Sequence, residues 1–155
     1  MQITIRPLEE KDAYTSWKWR NDPEVFAKTG RRYSGPVTLE DELNWISTVL
    51  GRSDERRFAI LAEGKYIGNV YLTDITQNEA EIGIFIGNKN YWKKGVATKT
   101  YKLIFDYAFK SLNINNIKSI IRIENEDSIK LHEKMGFMKT GKDIECFYYI
   151  KYKNK

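Results

Sequence analysis

Apolar and polar positions alternate along this chain with two periods, and the changes between them mark its elements. Residues 2–6 alternate as a strand with Ile3 and Ile5 on one face, ended by Pro7. Leu8, Ala13 and Trp17 belong to a helix that reaches Trp19 and Arg20, where Asn21-Asp22-Pro23 breaks it and Pro23 opens a short turn carrying Val25 and Phe26. Residues 28–37 are polar and glycine-containing, with the pair Arg31-Arg32, which suits a mobile lip over a site. Thr38, three residues before Asp41, caps a helix whose buried stripe is Leu39, Leu43, Ile46 and Leu50.

The period then falls to two. Residues 57–62 and 66–73, joined by Glu63-Gly64-Lys65, predict a hairpin. Residues 81–87 (EIGIFIG) predict a third strand with Ile82, Ile84 and Ile86 on one face. Gly83 and Gly87 within it point to a bulge or to something lying close against the backbone. Helical spacing returns at Val96, Thr100, Leu103, Ile104, Tyr107 and Ala108. A strand over 117–123, a helix over 127–135 capped by Asp127 or Ser128 and stopped by Gly136, and a strand over 145–152 complete the chain. The order β-α-α-β-β-β-α-β-α-β predicts an α/β (α+β) fold, a mixed, largely antiparallel central sheet flanked by helices.

Composition narrows the class. At 155 residues, 41% hydrophobic and 14% aromatic, residues 1–155 read as one globular domain. The opening MQITIRPLEE lacks an apolar signal core and no window approaches a membrane span, so a cytoplasmic protein without a membrane partner is expected. One cysteine and one histidine cannot build a zinc site of nitrogen and sulfur ligands, so no metal is expected, and Cys146 sits in an aromatic strand that favours packing over chemistry. The net charge of +5 suits nucleic acid or a small polyanion. Basic and acidic residues are interspersed and no nucleic-acid motif appears, so a phosphate-bearing cofactor is expected and nucleic acid is not.

The stretch 90–110, NYWKKGVATKTYKLIFDYAFK, carries that expectation. A basic turn with Gly95 runs straight into a helix, whose first N–H groups have no partner within the helix and face the positive end of its dipole. Gly95 lets an anion approach the backbone, and Lys93, Lys94 and Lys99 add charge. A surface helix with solvated lysines is the alternative.

In order and spacing, EIGIFIG, YWKKGVATKT with its helix, SIIRI and ENEDSIKLHEKMGF resemble the acetyl-CoA-binding half of the GNAT N-acetyltransferases. The resemblance implies direct acetyl transfer from acetyl-CoA to a primary amine, without a covalent enzyme intermediate. It implies that the backbone of Ile84, Phe85 and Ile86 pairs with the pantetheine arm, where that strand splays away from residues 119–123. The amides of Lys93, Lys94, Gly95, Val96, Ala97 and Thr98 would hold the pyrophosphate, and Asn125 would bond the pantetheine arm or serve simply as a turn residue. Two positions depart from the family pattern. Trp92 stands where Gln or Arg usually begins the signature turn, and His132 stands where a tyrosine usually acts as general acid.

Acetyl transfer needs a neutral amine, a donor to the oxyanion and a proton for the leaving thiolate. His132, with an ordinary pKa near neutrality, is a candidate acid, and packing alone is its other reading. Glu81 is the candidate base, with Glu79 its neighbour, against a solvated strand-end glutamate or water-mediated proton loss. Trp19, Arg20, Asn21, Asp22 and Tyr33 are candidate acceptor-binding residues, suited to stacking on a sugar or base and bonding it. WKWRNDPEVF, LEDELNWI and the ending FYYIKYKN resemble N-acetyltransferases of nucleotide-linked 4-amino sugars in the pseudaminic-acid pathway. The chain also resembles ribosomal-protein N-terminal acetyltransferases and polyamine acetyltransferases, so the acceptor is a small amine or a protein N-terminus, and a non-catalytic acyl-CoA-binding domain is the alternative from another class. Self-association into a homodimer is left open.

Overall fold

A computed structural model describes residues 1–29 and 35–153. The strands are β1 (Ile3–Pro7), β2 (Arg56–Ala62), β3 (Lys65–Thr73), β4 (Glu79–Ile86), β5 (Asn116–Arg122), β6 (Met138–Lys142) and β7 (Cys146–Tyr152). The helices are α1 (Ala13–Arg20), α2 (Pro23–Ala27), α3 (Leu39–Leu50), α4 (Val96–Asp106) and α5 (Glu126–Lys134). One seven-stranded sheet runs β1-β2-β3-β4-β5-β7-β6. Its neighbours are antiparallel except β4 and β5, which are parallel. This is the mixed, largely antiparallel sheet with flanking helices that the sequence predicts.

Side-chain alternation sorts the strands onto two cores. In β2, Phe58, Ile60 and Ala62 join the cluster under α4, with Ile67, Val70, Leu72 and Ile104, whereas Ala59 packs with Leu8, Ala13 and Ile46 under α1 and α3. Full burial of such aliphatic side chains stabilises the fold by about 1.5–3 kcal/mol each relative to exposure. A central strand apolar on both faces thus carries a helical layer on each side of the sheet.

Several boundaries differ from the sequence reading. Residues 10–12 form a 3-10 turn before α1, and Asp22 caps α2 by accepting from the Glu24 N–H, so a one-and-a-half-turn helix stands where a turn was expected. The cap of α5 is Asn125, whose Oδ1 accepts from the Ser128 N–H at 3.2 Å, not Asp127 or Ser128. Helix α4 continues through a π turn over Tyr107–Ser111. Strand β6 was not predicted: all five residues of MKTGK are exposed and show no apolar alternation, and backbone pairing to β7 alone defines it. Thr38 and Asp41 form the predicted reciprocal cap of α3.

Candidate active site

The parallel pair β4 and β5 shares just three partnered positions: Glu79 with Asn116, Ala80 with Ile117, and Glu81 with Lys118. Beyond them each strand keeps its outer neighbour, β4 pairing with β3 as far as Ile86 and β5 with β7 as far as Arg122. The sheet is therefore split from Ile82 and Ser119 onward, and the two inner edges present main-chain groups that have no ladder partner across the gap. The split is a cleft lined by Glu81, Gly83 and Ile84 on one side and by Ser119, Tyr101 and His132 on the other. It continues into a groove walled by Ile84, Phe85 and Ile86, by Lys93 and Gly95 to Thr98, and by Asn125, which borders both parts.

The loop before α4 forms the floor of that groove. Lys93 and Gly95 both take the left-handed conformation, with φ of 59° and 78°. At Gly95 a Cβ would meet nothing within 4 Å, so the backbone angle and the open approach, not crowding, explain glycine there. The first-turn N–H groups of Val96, Ala97 and Thr98 begin an eleven-residue helix beside this opening. Lys93 and Lys94 are exposed, while the Lys99 ammonium donates to the Met1 carbonyl at 2.8 Å and is directed to the N-terminal segment. Trp92 has its own structural task. Its indole N–H donates to the Ile86 carbonyl at 2.8 Å, tying the loop to the end of β4, and the Lys28 ammonium sits 4.7 Å from its ring centre.

His132 lies on the α4 and α5 side of the split, 2% exposed and walled by Tyr101, Phe137 and Tyr149. Its Nδ1 is 2.7 Å from the Ser128 carbonyl, an oxygen that can only accept, so Nδ1 carries the proton. Its Nε2 is left as an acceptor, 2.9 Å from Ser119 Oγ and 3.0 Å from Tyr101 Oη. Burial lowers its pKa from 6.5 to about 4, only partly opposed by the Ser128 carbonyl, so the ring is neutral at pH 7. Burial also raises the Tyr101 phenol far above its ordinary value. The Cys146 thiol borders the same cleft, and burial with the nearby Asp143 carboxylate pushes its pKa up, which keeps it protonated and weakly nucleophilic.

The opposite face of the sheet carries a second, aromatic pocket. Residues Glu81, Gly83 and Phe85 alternate with Ile82, Ile84 and Ile86, so they face α1 and α3. The ring of Tyr71 occupies the place of a Gly83 side chain, and the ring of Trp19 the place of a Gly87 side chain, which is the close approach implied by those two glycines. Trp19 also packs on Tyr66 and Phe85. Arg20 and Arg57 stack on Trp45, with guanidinium carbons 4.0 and 4.7 Å from its ring centre. Arg20 lies 2.6 Å from the buried Glu42 carboxylate, an ion pair whose N–H direction is off-line, and Arg57 pairs with Glu55 at 2.8 Å. Asn21 bridges the end of α1 to the chain before α3, donating to the Trp17 and Val37 carbonyls and accepting from the Val37 N–H. Asp22 caps α2 and pairs with Lys89 at 2.8 Å. Tyr33, with Arg31 and Arg32, lies outside the described residues.

Among known families, the model of the acetyltransferase (GNAT) domain matches residues 2–138. The chain belongs to the GNAT acetyltransferases. Acetyl-CoA is the acetyl donor of this enzyme, and the groove suits it: a helix start with open amides meets a diphosphate, and the unpartnered edge of β4 meets the amides of a pantetheine arm. Spermidine N(1)-acetyltransferase from Escherichia coli K12 is 31% identical over 149 residues, covering 94% of this chain and 78% of that protein. Spermidine N-acetyltransferase from Vibrio cholerae, solved in complex with CoA and spermine, superposes with a TM-score of 0.90 at 23% identity, covering 99% and 97% of the two chains. The same Vibrio enzyme has been solved as a dodecamer.

These relatives correct the subgroup suggested by the sequence. The Campylobacter jejuni N-acetyltransferase PseH superposes with a TM-score of only 0.75 at 21% identity, and the acetyltransferase aligns with spermidine enzymes in place of the amino-sugar and ribosomal-protein groups. The physical reason lies in the block read as a sugar site. Asn21 and Asp22 fasten helices together, Arg20 neutralises a buried carboxylate, and Trp19 covers a glycine, so these residue types have structural partners here and do not by themselves single out a sugar, while Trp19 and Arg20 also line the aromatic pocket.

Proposed function

We propose that this acetyltransferase acetylates a primary amine of a spermidine-class polyamine by direct transfer, with the amine entering from the α1 and α3 face. The 31% identity to a spermidine N(1)-acetyltransferase over 94% of the chain carries the proposal. The site supports it chemically. Glu81 faces the amine side of the cleft and takes the proton that the amine loses, directly or through water. Glu24 and Glu124 stand where the cleft opens beside Lys28 and Asn125, paired with Lys89 and Arg122, and a polyamine ammonium would compete with those exposed pairs for their carboxylates. The two guanidiniums of the neighbouring aromatic pocket are balanced by Glu42 and Glu55, so that wall does not repel a cation. Bound acetyl-CoA supplies an acetyl group activated as a thioester. The backbone of Ile84 to Ile86, the amides of Lys93 to Thr98 and Asn125 would hold it. We also propose assembly beyond a homodimer, by likeness to the Vibrio enzyme.

Coenzyme A release is the test, measured with spermidine, a nucleotide-linked 4-amino sugar and peptides with free N-termini. Turnover with spermidine, reduced by Glu81→Gln, is expected. Turnover confined to the sugar or the peptides would overturn the polyamine reading. Sedimentation velocity checks the assembly, and a dimer at micromolar concentration would overturn that part.

A further inference from the structure

The surroundings of His132 leave one hydroxyl hydrogen unassigned. A neutral ring with its proton on Nδ1 has a single lone pair, on Nε2, and two hydroxyls lie within 3.0 Å of it. One O–H can point straight at that lone pair, and the other is free to turn elsewhere. Tyr101 is the one held in place. It is fully buried, its ring is enclosed by Phe105, Phe137 and His132, and its phenol is the stronger hydrogen-bond donor of the two. Ser119 occupies a different position. It is the first residue of β5 past the last rung shared with β4, so its hydroxyl stands where the sheet opens, on the wall of the cleft.

We propose that Ser119 is the hydrogen-bond donor to the acetyl thioester where negative charge develops, and that His132 is a positioning residue that holds the Tyr101 hydroxyl, leaving the Ser119 O–H to the cleft, rather than the proton donor. The ring has no hydrogen on the nitrogen facing the cleft hydroxyls, and the hydrogen it does carry is bonded to the Ser128 carbonyl. A serine at such a site needs little reorganisation during the reaction, because its backbone is held in β5 by pairing with Tyr149 and its O–H has only to rotate. The inference rests on acetyl transfer from acetyl-CoA and not on which amine receives it.

The test uses an isosteric pair at one position. Ser119→Thr keeps a hydroxyl and Ser119→Val removes it at equal volume, and both β-branched residues suit a strand. With the fastest amine of the panel, in single turnover, the threonine variant should stay within about 5-fold of wild type and the valine variant should fall about 100-fold, with acetyl-CoA KM within about 3-fold for both. Equal rates for the pair would overturn the role of Ser119. A readout without substrate addresses His132: because the chain has one histidine, its 15N–1H correlation spectrum is unambiguous. The Nδ1–H tautomer is expected at pH 7, with Nε2 shifted strongly in Tyr101→Phe and much less in Ser119→Val. A ring protonated on Nε2 would overturn the positioning role. Failure of spermidine alone rejects the polyamine reading while the same comparison proceeds on another amine.

Discussion

Acidification from pH 7 to pH 4 interrogates the burial of His132 without altering the sequence. The folded ring has its pKa lowered from 6.5 to about 4, chiefly because its surroundings exclude water from the charged form. Between those two values the unfolded chain binds a proton that the folded chain refuses, so unfolding becomes easier as pH falls through this window. Above pH 6.5 both states are neutral and the group gives no slope. Below pH 4 both are charged and the loss is complete. A gap of about 2.5 in pKa, at about 1.4 kcal/mol for each, amounts to about 3 kcal/mol, a large part of an ordinary domain's stability. Carboxylates also contribute, but lower on the scale. Asp22 beside Lys89, Glu124 beside Arg122, Asp41 in its cap and Asp143 bonded to Tyr148 are all held below their ordinary range, so their stabilisation is lost as pH falls below about 4. Urea unfolding of the wild type and of His132→Gln at pH 7, 6, 5 and 4.5 separates the two effects. The variant should be less stable at pH 7 yet lose about 2 kcal/mol less on reaching pH 5. Parallel pH profiles for the two proteins would refute a neutral, buried His132.

Glu42→Gln removes the counter-charge of the stacked Arg20 and leaves one oxygen where two served Arg20 and Ser16, the latter bonded at 2.7 Å, and should cost about 3 kcal/mol by denaturant unfolding. Gly68→Ala places a Cβ against the Phe85 carbonyl oxygen of the adjacent strand, a backbone atom that cannot move aside, so it should cost about 3 kcal/mol or more and reduce soluble yield. Gly95→Ala, with open space around its Cβ but φ of 78°, should cost only about 1 kcal/mol in stability while raising the acetyl-CoA KM, measured by steady-state coenzyme A release. Cys146→Ala should leave turnover within about 3-fold of wild type, since the thiol is protonated at neutral pH and direct transfer does not use it; loss of turnover in the folded variant would refute direct transfer.

Local periodicity carried most of the fold because the strands and helices here each bury a face. Ile82, Ile84 and Ile86 announce β4, and Val96, Ile104 and Ala108 announce α4, through contacts made by their own side chains. Strand β6 was silent because its exposed MKTGK buries no face and is defined only by backbone bonds to β7. The groove was legible for a similar reason as β4, since Gly95 before a helix is a local signal with a backbone cause. The aromatic block was not. Asn21, Asp22 and Arg20 look alike as ligands or as fasteners until Val37, Lys89 and Glu42 are brought beside them in space. Ser119 and Tyr101 went unremarked in the sequence, because a serine in an apolar strand and a tyrosine in an amphipathic helix gain chemistry only by meeting His132.

The split between β4 and β5 makes the sheet a partition with a slot in it. In the function proposed above, acetyl donor and amine would be approached by different sets of residues, Ile84, Gly95 and Ser119 from one side and Glu81, Tyr71 and Phe85 from the other, which meet at a narrow gap in the backbone. Substitutions in α1 or α3 can therefore reshape the choice of amine while the machinery for the donor stays intact.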